Sequence, residues 1–161
     1  MASKILKMQK FIRFYKEQTG LKEADMREVA KLAAKRGWPL PKPIDPIDRL
    51  AREFADAAKE EIRHDNGTSK PYRANHVVWV RQGDHQLPLY IDIDEDHPRK
   101  VILKSLMNRR EQTVSDMVQL AFDADHWNAM HPDEEPIVIP TDLTDDVAWR
   151  RNAPEEEEEA S

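Results

Sequence analysis

Between Val77 and Ile93 the hydrophobic pattern reads as sheet, and it is the stretch that most restricts what this chain folds into. Leu87, Leu89, Ile91 and Ile93 alternate with Pro88, Tyr90, Asp92 and Asp94, the two-residue period of a strand with one covered face. His76-Val-Val-Trp-Val-Arg81 is β-branched and aromatic and suits a partner strand, and Gln82-Gly-Asp-His-Gln86 supplies the glycine and aspartate of a short hairpin loop.

Helical patterns flank the hairpin. Ile5, Met8, Phe11, Ile12 and Tyr15 share a face of a first helix that should end at Gly20. A second is predicted from Glu23 to Arg36, with Met26, Val29, Ala30 and Ala33 inward. Trp38-Pro-Leu-Pro-Lys-Pro43 lacks the donors and the backbone freedom for helix or central strand and reads as a stiff connector. Asp45 and Pro46 then open a third helix, predicted to run to His64 with Ile47, Leu50, Ala51, Phe54, Ala58 and Ile62 as its core stripe. Asp65 to Pro71 is a loop on this reading. From Arg99 to His131 there is neither glycine nor proline, and Leu103, Leu106, Met107, Val114, Met117, Val118 and Ala121 share one helical face, so a long helix is predicted to about Asp123. Pro136-Ile-Val-Ile-Pro140 resembles a short strand, and a last helical turn starts at Thr144. The expected fold is α+β: three N-terminal helices, a β-hairpin, either alone or extended by Ile137 to Ile139 into a three-stranded antiparallel sheet, and one long C-terminal helix across it. Residues 1–151 should form one domain and 152–161 a disordered acidic tail, because Glu155 to Glu159 repel one another and bury nothing.

Charge separates along the chain. Residues 1–75 hold 17 Lys and Arg against 11 Asp and Glu, and residues 76–161 hold 8 against 20. With no cysteine, disulfides, thiolate metal sites and cysteine nucleophiles are excluded. No apolar run approaches a membrane span and the N-terminus lacks a signal-peptide core, so a soluble, cytoplasmic protein without membrane partners is expected.

Three helices and a hairpin are the order of a winged-helix domain, but acidic residues Asp45, Asp48, Glu53 and Asp56 on the third helix would oppose phosphates, and the connector before it is too long. Nucleic acid, if bound, should meet the cationic side of the first two helices: Lys10, Arg13, Lys16, Arg27, Lys31 and Lys35. Arg27, Lys31 and Lys35 stand four apart, a like-charge column that an anion would relieve. Asp92, Asp94, Glu95, Asp96 and His97 crowd a strand end where paired carboxylates suit magnesium and phosphoryl chemistry, yet Asp92-Ile-Asp94 lacks the lysine of the restriction-nuclease pattern; a solvated acidic turn is the plainer reading. Asp123, Asp125, His126 and His131 are poorly spaced as metal ligands. Arg110 falls inside the long helix's apolar stripe, where it must pair internally with a carboxylate such as Asp92 or Asp94, escape at an edge, or face an anion or a subunit.

Arg109-Arg-Glu-Gln112 and Asp123-Ala-Asp-His-Trp-Asn128, with His131-Pro132, resemble a group of uncharacterised small bacterial proteins over most of residues 20–151. That resemblance implies a bacterial or mobile-element setting and no activity. The function expected is that of a non-catalytic macromolecule-binding protein, an adaptor or regulatory subunit, with no catalytic residue, metal or cofactor. A protein partner, nucleic acid on the basic helices, and a homodimer through the long helix are the partners it suggests. The alternatives are a small metal-dependent phosphoryl hydrolase built on Asp92, Asp94 and His97, and an acidic inhibitor of the antitoxin kind.

Overall fold

The structure, a computed structural model, describes residues 3–154. They form an α+β protein with five helices and two two-stranded antiparallel sheets: α1 (Lys4–Thr19), α2 (Met26–Lys35), α3 (Pro46–Glu60), β1 (Ile62–His64), β2 (Pro71–Arg73), β3 (Asn75–Gln82), β4 (His85–Asp92), α4 (Arg99–Met130) and α5 (Thr144–Asn152). Two compact units divide between Arg52 and Glu53. From Glu155 onward the predicted acidic tail lies outside the described residues.

Capping residues set the limits of the first unit's helices. The Ser3 hydroxyl accepts from Leu6 N–H at 3.2 Å to open α1, and Gly20 closes it with φ 69°, its N–H donating to Lys16 O at 2.8 Å. Asp25 takes Arg27 N–H at 2.8 Å, so α2 begins at Met26 rather than at Glu23. Past its end, Trp38 N–H returns to Ala33 O at 2.9 Å, which lays the indole edge-on against Phe11 with ring centroids 5.8 Å apart. Tyr15 and Val29 are buried, Phe11 also touches Phe14, and the Arg36 guanidinium covers the Phe14 ring at 4.7 Å. Ile5 and Met8, expected on the inner face, are exposed.

Asp45 accepts from Ile47 N–H at 2.7 Å and starts α3 as its sequence predicts. The helix stops at Glu60, short of the expected His64, because Ile62 to His64 pair with Pro71 to Arg73 instead. Between these strands the Asp65 carboxylate accepts from Gly67 N–H at 2.8 Å and Thr68 N–H at 3.3 Å, an Asx-turn that makes the predicted loop a hairpin connection. Ile47, Leu50 and Phe54, the intended core stripe of α3, are exposed.

β3 and β4 form the predicted hairpin, in register from Asn75↔Asp92 to Gln82↔His85. Its two-residue loop, Gly83-Asp84, takes the left-handed conformation at Gly83 (φ 60°) that such a loop requires. Burial is confined to the base: His76 is buried and Val77, Val78 and Ile91 are half-buried, whereas Trp79, Val80, Leu87 and Leu89 are exposed. Ala74 joins the two sheets. It is completely buried, donates its N–H to Glu61 O at 3.1 Å and accepts from Ile93 N–H at 2.9 Å.

α4 lies against β3 through a face that its hydrophobic pattern does not announce. Ser105 is buried and donates its hydroxyl to Val77 O at 2.6 Å, and Val101 and Asn108 line the same gap beside Val77 and Val78. Leu103, Leu106, Met107, Val114 and Val118, the stripe expected to cover the sheet, are exposed. The helix passes the predicted stop near Asp123 and ends at Met130, where His131 stacks on Trp127 at 3.8 Å and its Nδ1 lies 2.9 Å from Trp127 O. Ile137 to Ile139 add no third strand. The Asn128 amide accepts from Ile137 N–H at 2.8 Å and donates to Ile137 O at 2.9 Å, taking both groups a sheet partner would use. α5 has Asp145 and Asp146 in its first turn and Arg150 and Arg151 in its last, as the helix dipole favours.

The chain exposes 14821 Å² of surface. Two compact globules of these sizes would expose about 10000 Å². Large apolar side chains such as Phe54, Phe122, Met130 and Trp149 contribute to it.

Candidate functional site

The acidic strand end is organised by Arg63, which lies within the stretch predicted as the last turn of α3 and outside that helix's core stripe. β1 carries Arg63 opposite Tyr72, and the guanidinium reaches the end of β4. Its Nη1 donates to Asp92 Oδ1 at 2.8 Å and to Asp94 Oδ2 at 2.7 Å, and its Nη2 donates to Asp92 Oδ2 at 2.7 Å. The Tyr72 hydroxyl adds a bond to Asp94 Oδ2 at 2.9 Å, and Glu61 closes the other side at 3.4 Å. The side chains of Arg63 and Asp92 are 34% and 22% exposed, so water screens this cluster in part. The fork of donors on Arg63 holds the Asp92 carboxyl below the ordinary carboxylate range, helped by Asp94 N–H at 2.9 Å; Asp92 and Asp94 in turn push Arg63 above its ordinary value. Hydrogen bonding to Asp94 raises the Tyr72 phenol.

Of the arrangements open to Arg110, this cluster removes the internal pairing with Asp92 or Asp94. Asp92 and Asp94 do bind an arginine, but it is Arg63; Arg110 is 66% exposed and, among the described residues, pairs only with its neighbour Glu111, at 3.4 Å. The two carboxylates that would have gathered magnesium are instead bridged by a guanidinium. Nε2 of His97, the third member of that hypothetical site, is buried 4.0 Å from Glu95 Oε2. Among the described residues no three His, Asp or Glu side chains are grouped to hold a metal ion, and Asp123, Asp125, His126 and His131 do not converge. Arg63 left one trace in the sequence: Asn66-Gly67 is a strong hairpin signal and makes the flanking Ile62 to His64 and Pro71 to Arg73 candidate strands.

All six predicted cationic contacts of the first unit are exposed. Arg27, Lys31 and Lys35 form the expected column on α2, where Glu28 neutralises Lys31 at 2.7 Å. Lys10, Arg13 and Lys16 fan over about 120° of α1 at the helical 100° per residue. The unit boundary sharpens the charge division read from sequence. Residues 1–52 carry 13 basic and 6 acidic side chains, a balance of +7, and residues 53–161 carry 12 and 25, a balance of −13.

In the second unit an open groove of about 1100 Å³ runs between α4 and the segment from Thr141 to Arg151. Val114, Met117, Val118 and Phe122 form its α4 wall, Leu143 and Val147 the other, and Arg110 stands at one end. Among the described residues no helix is long and apolar enough to cross a membrane. No known protein-family model matches the chain, and no curated protein or solved structure shows significant similarity to it.

Proposed function

We propose that this is a non-catalytic macromolecule-binding protein, an adaptor or regulatory subunit, that engages nucleic acid through α1 and α2. The observation that carries the reading is the confinement of the basic excess, +7, to the first compact unit, with Lys10, Arg13, Lys16, Arg27, Lys31 and Lys35 all exposed. The net charge of −6 does not oppose it. At an ionic strength of 0.1 M exposed charges are screened beyond about 10 Å, so a phosphate backbone on these helices responds to the local field rather than to the whole chain. Glu28 already satisfies Lys31, which leaves Arg27 and Lys35 as the strongest contributors on α2.

Fluorescence anisotropy with short duplex DNA, single-stranded DNA and RNA at 50 and 200 mM salt tests this. Neutralising about five phosphates should make the affinity fall roughly 100-fold or more between the two conditions. Reversing Arg27, Lys31 and Lys35 to glutamate should abolish binding at both. No binding at the lower salt, or binding indifferent to the three reversals, overturns the reading.

A further inference from the structure

α4 carries two patterns that its packing on the sheet leaves unused. The first is apolar. Leu103, Met107, Arg110, Val114, Met117 and Ala121 follow one another at alternating spacings of four and three, the repeat of a two-helix seam. At 100° per residue this line lies on the opposite side of α4 from Val101, Ser105 and Asn108, the residues that meet the sheet. It is therefore a second face, and Leu103, Met107, Arg110 and Val114 on it are exposed.

The second pattern is electrostatic. From Arg99 to Arg110 the helix carries five cations and no carboxylate; from Glu111 to Met130 it carries four carboxylates and no Lys or Arg. This order runs against the helix dipole, which favours acids at the N-terminus and bases at the C-terminus. A charge distribution that the isolated helix resists is one that a second, oppositely directed copy of the same helix complements. A parallel pair would set cations beside cations along the first third of its length.

From the exposed seam and this charge order together, we infer that α4 is the interface of an antiparallel homodimer. With Met107 of one copy opposite Met117 of the other, Leu103 falls opposite Ala121, Leu106 approaches Leu120, and Lys104 lies across from Asp125. Near the two-fold axis Arg110 of each copy meets Glu111 of the other, the residue it already touches within its own chain at 3.4 Å. The basic half of each α4 enters the groove between the partner's acidic half and its α5. Arg110 in an apolar line then has a role: it fixes direction and register rather than adding burial.

Sedimentation of the full chain, with two charge-reversed variants and their mixture, decides the matter. The wild type should sediment as a dimer at tens of micromolar. Lys104→Glu with Arg110→Glu should weaken self-association by about tenfold or more, and so should Glu111→Lys with Asp125→Lys, because each variant sets like charges against each other at both Lys104–Asp125 contacts and beside the two-fold axis. Mixed together, the two variants should form a heterodimer, since every reversed charge then meets its opposite; this arm also answers a loss caused by misfolding. A monomeric wild type, a dimer indifferent to either pair of changes, or a mixture that stays monomeric overturns the proposal. None of these residues belongs to α1 or α2, so nucleic-acid binding and self-association fail independently.

Discussion

Ala74→Phe should produce the largest loss of stability of any single substitution in the second unit, about 3 kcal/mol, as overpacking a closed site does. Ala74 is completely buried, and both its backbone groups are committed to other chain segments, the N–H to Glu61 O and the carbonyl to Ile93 N–H. A ring placed there has no exit without parting β1 from β4. Thermal unfolding followed by circular dichroism should show Tm lowered by about 10 °C, for a unit of this size. A phenylalanine at exposed Ala57 is the control. Equal Tm values for the two variants would show that the junction at Ala74 does not hold the sheets together.

The acid limb of the stability curve should belong to Arg63 and Asp92. The Asp92 carboxyl is held below its ordinary range in the folded protein by the Arg63 fork, so in that window the unfolded chain binds more protons than the folded one. Stability therefore rises with pH there. The contribution is complete above the ordinary carboxylate range and is lost as pH falls through the lowered value. Arg63→Ala removes it and leaves Asp92 and Asp94 facing each other, so Tm at neutral pH should fall by several degrees and the acid slope should flatten. Arg63→Lys should recover only part, because an ammonium cannot span both Asp92 oxygens. Tyr72 works at the other end of the scale. Its raised phenol contributes below the ordinary tyrosine range and ceases to contribute as pH rises through the folded value. Urea midpoints between pH 3 and pH 7 for wild type, Arg63→Ala and Arg63→Lys provide the check; parallel curves would remove the cluster from the account of acid sensitivity.

What could be read from the sequence was local. Gly20, Asp45 and Gly83 act on residues within four positions of themselves, and each ends, caps or turns the chain as its chemistry predicts. The end of α3 was hidden because Ile62 continues the helical stripe and equally suits a strand; the pairing with Arg73 decides between them. Arg63 was hidden for a related reason, since its partners lie 29 and 31 residues away and only the two hairpins bring them together. The demand of Asp92 and Asp94 for an arginine was legible, but not which arginine would answer. The stripe on α4 was misassigned because periodicity says which residues share a face and nothing about what faces them. The sheet is met instead by Val101, Ser105 and Asn108, and a serine in that position carries no hydrophobic signal.

The surface left open by this fold changes how the chain should respond to denaturant. An unfolded chain of this mass exposes about 27000 Å², so a chain that still exposes 14821 Å² when folded hides about 45% of it, against about 70% for an ordinary domain of this length. The dependence of unfolding free energy on urea scales with the newly exposed area, so the m-value of the separated chain should be about two-thirds of that expected from its length, and its transition correspondingly broad. Any partner that covers α4 should steepen that transition as well as move its midpoint, because unfolding would then release surface that the lone chain already gives to water.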